Sequence, residues 1–170
     1  VFELRTERLL MRPASADDVE DLVVLHEDPL VRETFGTPSR AEIEEWVGRA
    51  TDEWDERGHG RLTLLDPGSG AFLGRSGLKW WPEFGEVEVG WVLAPTARGR
   101  GLATEAGRAC LDWAFRDLDV PYVTAYINPG NANSIAVARR LGMTPLREDT
   151  LHGEPVVAFS SQPPADGPKT

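Results

Sequence analysis

Arg98-Gly99-Arg100-Gly101-Leu102-Ala103 combines two cations with two glycines just ahead of a helical pattern. Glycine lets a backbone approach a ligand closely, and a helix start presents amides without partners, so the segment suits an anion such as a pyrophosphate. The same residues also suit a tight strand-to-helix turn with solvated arginines. A dinucleotide-binding turn fits less well. It needs a third glycine where Thr104 stands, and an acidic residue at a later strand end, whereas Asp119 precedes its strand.

Just upstream, the run from Glu86 to Leu93 alternates. Val87, Val89, Trp91 and Leu93 share one face of a strand; Glu86, Glu88 and Gly90 share the other. Two carboxylates beside a mid-strand glycine suit a cleft wall where another backbone or a ligand comes close, although a solvated outer face is the commoner use of such a pattern. Downstream, Asn131-Ala132-Asn133-Ser134 opens a later helix and reads first as a cap. His152 is a third titratable candidate, placed before Gly153 at a turn tip. Trp80, Trp81 and Pro82 precede the glutamate strand, where they either shape a pocket or pack beneath the first helices.

These residues need a frame. A strand is expected over Arg8 to Arg12, then a helix capped by Ser15 that ends near Pro29. Ser39 caps a second helix whose Ile43, Trp46, Val47, Ala50 and Trp54 fall on one face, with the two tryptophans serving core or interface. Three strands follow, Arg61 to Leu65, Ala71 to Lys79 and Glu86 to Leu93, with turns at Pro67 to Gly70 and Pro82 to Gly85. A long helix is expected from Leu102 to Arg116, a strand from Tyr122 to Ile127, and a helix from Ser134 to Leu141 closed by Gly142. Two last strands lie near Met143 to Glu148 and Pro155 to Phe159. The pattern predicts a single mixed α/β domain over 1–160 and a disordered tail over 161–170.

Composition narrows the partners. Among 170 residues, 28 are acidic and 18 basic, a net charge of −10, which disfavours nucleic acid and anionic membranes. The single cysteine, Cys110, excludes an internal disulfide and a cysteine-based zinc cluster, and no metal is expected. No apolar run reaches the roughly 20 residues of a membrane span, and VFELRTERLL lacks a signal peptide's apolar stretch, so a cytoplasmic location is expected.

Together the motifs resemble the GNAT superfamily of acyl-CoA N-acyltransferases. Its pyrophosphate signature is matched by Arg98, Gly101 and Ala103, and its second signature by Asn131, Ser134 and Leu141-Gly142, with Met143 replacing an aromatic residue. The wording EVGW, GLATEA and NANS is similar to the branch that acetylates ribosomal-protein N-termini. The resemblance implies a twisted, mostly antiparallel mixed sheet flanked by helices and splayed between its fourth and fifth strands, here Glu86 to Leu93 and Tyr122 to Ile127. It implies acetyl-CoA as cosubstrate, its pantetheine arm along Trp91, Val92 and Leu93 and its pyrophosphate on Arg98, Gly99, Arg100, Gly101, Leu102, Ala103 and Thr104. Asn131 would position CoA or the loop. The acceptor would be a primary amine, of a protein N-terminus or a small molecule, attacking the thioester directly, and a homodimer is possible. Glu88 is the expected base, with Glu86 and His152 as alternatives. Many relatives protonate the thiolate with a tyrosine where Ala138 stands, so Ser134 is the expected donor here. Ala138 and Met143 leave open a CoA-binding or interaction module without catalysis.

Overall fold

Period-two alternation over Arg61–Leu65 (β3), Phe72–Trp81 (β4) and Glu86–Leu93 (β5) yields three consecutive antiparallel strands at the centre of one sheet. The computed structural model describes residues 1–165. Leu4–Arg5 (β1) and Leu10–Pro13 (β2) extend the sheet beyond β3, while Val123–Ile127 (β6), Thr144–Leu151 (β7) and Glu154–Ser161 (β8) extend it beyond β5. The order is β1-β2-β3-β4-β5-β6-β8-β7. Every pair is antiparallel except β5 with β6, which the helix Leu102–Asp117 (α4) connects. The expected mixed sheet with helices on its faces is therefore present.

The helix α4 lays Ala106, Cys110, Trp113 and Ala114 into the main core. A smaller cluster forms where Val19–Leu25 (α1), Pro29–Phe35 (α2) and Arg40–Arg57 (α3) meet Phe72 and Val92. Ser39 and Glu42 cap α3 reciprocally, and Gly58 ends it in the left-handed conformation. Trp46 packs beside the smaller cluster. Trp54 stacks on Trp113 at 5.5 Å between ring centroids, so both tryptophans of α3 are used within this chain.

Four expectations need correction. Pro29 begins a helix: Asp28 accepts the Val31 amide as N-cap and Pro29 occupies the first turn, where its missing N–H costs nothing. The preceding helix α1 stops earlier, at Leu25. The last two strands run longer than their apolar pattern, because ladder bonds are made by backbone whatever the side chains. Ser161, placed in the disordered tail, is thus a β8 residue paired with β6; residues 166–170 of that tail lie outside the described residues.

Candidate active site

The parallel strands β5 and β6 share a single bridging pair, Glu88 with Thr124. Beyond it they diverge and leave a cleft of about 200 Å³. One wall is Val89 to Val92 and the other Ala125 to Ile127, with Asn131 and Ser134 beyond. This is the carboxyl end of the parallel pair, where α4 and the helix Ala132–Arg140 (α5) both begin. Ligands of α/β sheets bind at such ends, because diverging strands and helix amides meet there.

Glu88 closes the cleft. One carboxylate oxygen accepts the indole N–H of Trp81 and the other accepts the backbone N–H of Tyr126, each at 2.9 Å. The carboxylate thus replaces a ladder bond that β6 would otherwise make, which helps hold the strands apart. Burial raises its pKa above the usual carboxylate range, against the pull of Arg61, the Tyr126 amide, the Trp81 indole and Lys79. The glutamate face is therefore buried, not solvated.

Glu86 has a different fate. Arg147 forks onto both its oxygens at 2.6 and 2.9 Å, and the hydroxyls of Tyr122 and Tyr126 donate as well. Burial alone would raise its pKa, but these donors hold it at about 2. Both carboxylate oxygens of Glu86 are thus occupied by donors within the chain. His152 occupies the β7–β8 turn with φ +51°, yet its ring lies 5.5 Å from that of Trp81 and borders the cleft. The tryptophan pair divides: Trp81 lines the cleft, while Trp80 packs against the main core. Pro82 is exposed.

At the far end, Gly101 precedes α4 with φ +75° and the helix has no side-chain cap. The amides of Leu102, Ala103 and Thr104 therefore have no intrahelical acceptor and are available to an anion. Only one of the loop's two arginines is available through its side chain. The Arg98 guanidinium is bound to Asp28 at 2.6 and 3.3 Å and to the Leu93 carbonyl at 3.2 Å, so Arg98 braces the loop. Arg100 is exposed, and its carbonyl accepts a bond from Arg8 at 2.7 Å. Arg8, distant in sequence, thus reaches this end, where its Nε also lies 3.3 Å from the Glu105 carboxylate. Trp91 and Leu93 pack toward the main core and Val92 toward the smaller cluster, leaving the backbone edge of β5 along the cleft.

Asn131 caps α5, accepting the Ser134 amide at 3.2 Å, and both residues line the cleft. Ala138 is fully buried in the core. Among the residues expected to donate to a thiolate, that leaves the Ser134 hydroxyl.

Arg61, Arg75 and Tyr126 were not expected, although all line the cleft. Their signal was the parity of β4: Arg75, Gly77, Lys79 and Trp81 alternate with Ser76, Leu78 and Trp80, and the register places the first set on the face of Glu86 and Glu88.

Residues 8–144 match the model of the Acetyltransferase (GNAT) domain. The uncharacterized protein YkkB of Bacillus subtilis (strain 168) is 34% identical over 149 residues, 83% of this chain and 84% of its own length. The crystal structure of an acetyltransferase from Agrobacterium tumefaciens str. C58 superposes with TM-score 0.84 at 32% identity, covering 95% of each chain. RimL, described as a ribosomal L7/L12 alpha-N-protein acetyltransferase in complex with coenzyme A, shares the fold at TM-score 0.78 and 18% identity, over 97% of this chain and all of that one. The chain therefore belongs to the GNAT acetyltransferase family, whose members transfer an acetyl group from acetyl-CoA to an amine.

Proposed function

We propose that the β5–β6 cleft is the catalytic centre, with Glu88 as general base and Ser134 as the donor to the departing sulfur. The observation that carries this reading is the position of Glu88, buried at the closed end of a cleft whose open end carries the α4 amides. Acetyl-CoA supplies the activated acetyl thioester. Its pyrophosphate suits the amides of Leu102, Ala103 and Thr104 with Arg8 and Arg100 beside them, and its pantetheine amides suit the free edge of Trp91 to Leu93. Asn131 fixes the first turn of α5 and so aims Ser134.

An amine attacks only when neutral, so its proton must leave before or during bond formation. Glu88 accepts that proton, directly or through one water, and its raised pKa makes it a better base than an exposed carboxylate. The neighbouring Arg61 favours its ionised form against that burial. Ser134, at the opposite wall, gives a hydrogen bond or proton to the sulfur as the carbon–sulfur bond breaks. The use of acetyl-CoA supports a cytoplasmic site of action, and among the described residues no helix is long and apolar enough to cross a membrane.

The test is calorimetry with acetyl-CoA followed by thiol release with mixed amines. Wild type is expected to bind and to release CoA thiol in the presence of an amine; Gly101→Trp, which fills the phosphate loop, is expected to abolish binding. Unchanged acetyl-CoA affinity in that variant overturns the assignment of the loop.

A further inference from the structure

Arg61 pairs with Gly77 and Gly77 with Gly90, so the three form one row across β3, β4 and β5 on the face of Glu88. Neither glycine has a side chain to obstruct that row. A Cβ on Gly77 would lie 2.4 Å from the Gly60 carbonyl oxygen, and Gly77 has φ +112°, so only glycine fits there. A Cβ on Gly90 would lie 3.2 Å from Arg61 Nη1. The Arg61 side chain therefore crosses β4 and ends over Gly90, two residues along β5 from Glu88.

Arg75 stands in the next row, paired with Thr63 and Val92. Its guanidinium carbon lies 4.8 Å from the Phe35 ring centroid and 5.2 Å from that of Trp46. Aromatic contacts of this kind fix the guanidinium and leave N–H edges free to donate. Both arginines line the cleft. In contrast to Arg12, Arg98 and Arg147, each forked onto a carboxylate, neither pairs with an acidic side chain among the described residues. Burial and the neighbouring Arg61 disfavour the charge on Arg75, a cost that a bound anion would offset. Glu88 influences both, but its hydrogen bonds go to Trp81 and Tyr126.

Two unpaired guanidiniums in one cleft repel a polycationic amine and match the two oxygens of a carboxylate. We infer that Arg61 and Arg75 form a carboxylate-binding subsite of the acceptor pocket, so that the acetylated amine is a small amino acid or a close analogue carrying its own carboxylate. This rests on the acetyltransferase reading above. With the carboxylate on the arginines, the amine nitrogen bonds to the acetyl carbonyl carbon, its proton passes to Glu88, and the carbon–sulfur bond breaks to release CoA thiolate.

The experiment compares thiol release with L-amino acids, the corresponding carboxamides, spermidine and short peptides, alongside acetyl-CoA calorimetry. At least one amino acid is expected to exceed its carboxamide in kcat/KM by roughly ten- to hundredfold. Arg61→Met and Arg75→Met should erase that ratio through KM while acetyl-CoA affinity stays unchanged; Arg61→Lys and Arg75→Lys should restore part of it. Far-ultraviolet circular dichroism establishes that each variant is folded. Equal or better turnover of carboxamides, spermidine or peptides overturns the subsite and leaves the enzyme reading standing. So does acetyl-CoA binding with no turnover of any amino acid, or a loss of acetyl-CoA affinity in the folded arginine variants. Failure of wild type to bind acetyl-CoA overturns the enzyme reading and the subsite with it.

Discussion

Glu86 and Glu88 are the same residue type on the same strand face, and their neighbours give them opposite properties. Glu86 meets one guanidinium and two phenols, which hold its pKa down; Glu88 meets an indole and an amide, and burial raises its pKa above the ordinary carboxylate range. Removing the first carboxylate strands Arg147 and two hydroxyls, so Glu86→Gln is expected to cost about 2–4 kcal/mol at neutral pH in denaturant unfolding. The contribution of Glu86 is complete above its ordinary pKa of 4.5 and disappears as pH falls toward about 2. The stability difference between wild type and Glu86→Gln should therefore shrink across that window. A constant difference would show that charge is not what the pair contributes.

At the scale of elements, α2 and the phosphate loop are coupled through Asp28, which caps the helix at Val31 and forks onto Arg98. Asp28→Ala is expected to raise KM for acetyl-CoA with little change in kcat, checked by initial rates and calorimetry; unaltered affinity would show that the loop holds its shape unaided. The helix α2 was not legible in the sequence, because Pro29 reads as a stop until Asp28 is seen to cap it. Strands β3 and β5 were legible to their ends because alternation and flanking glycines agree there. The phosphate loop was equally legible, since its glycines and following helix are local. What sequence hid were pairings between distant strands: Arg147 on β7 disarms Glu86 on β5, and Arg61 on β3 reaches Gly90 across β4. No local pattern records which rows of a sheet align.

Across the whole molecule, a net charge of −10 coexists with cations gathered along one cleft. Arg8 and Arg100 stand at the phosphate loop, Glu88 at the closed end, and Arg61 and Arg75 in the rows of Gly90 and Val92 between them. The sheet makes this arrangement by separating two parallel strands after a single bridging pair, so the fold and the catalytic proposal share one origin. The most direct test is the pH dependence of thiol release for wild type and Glu88→Gln, with saturating acetyl-CoA and the best acceptor of the panel. Wild-type kcat is expected to fall on the acid side with an apparent pKa above the ordinary 4.5 of a glutamate, since burial favours the inactive protonated form. Glu88→Gln should bind acetyl-CoA normally, lose that limb and turn over roughly a hundredfold more slowly. Wild-type turnover and an unchanged pH profile in the folded variant would contradict the account.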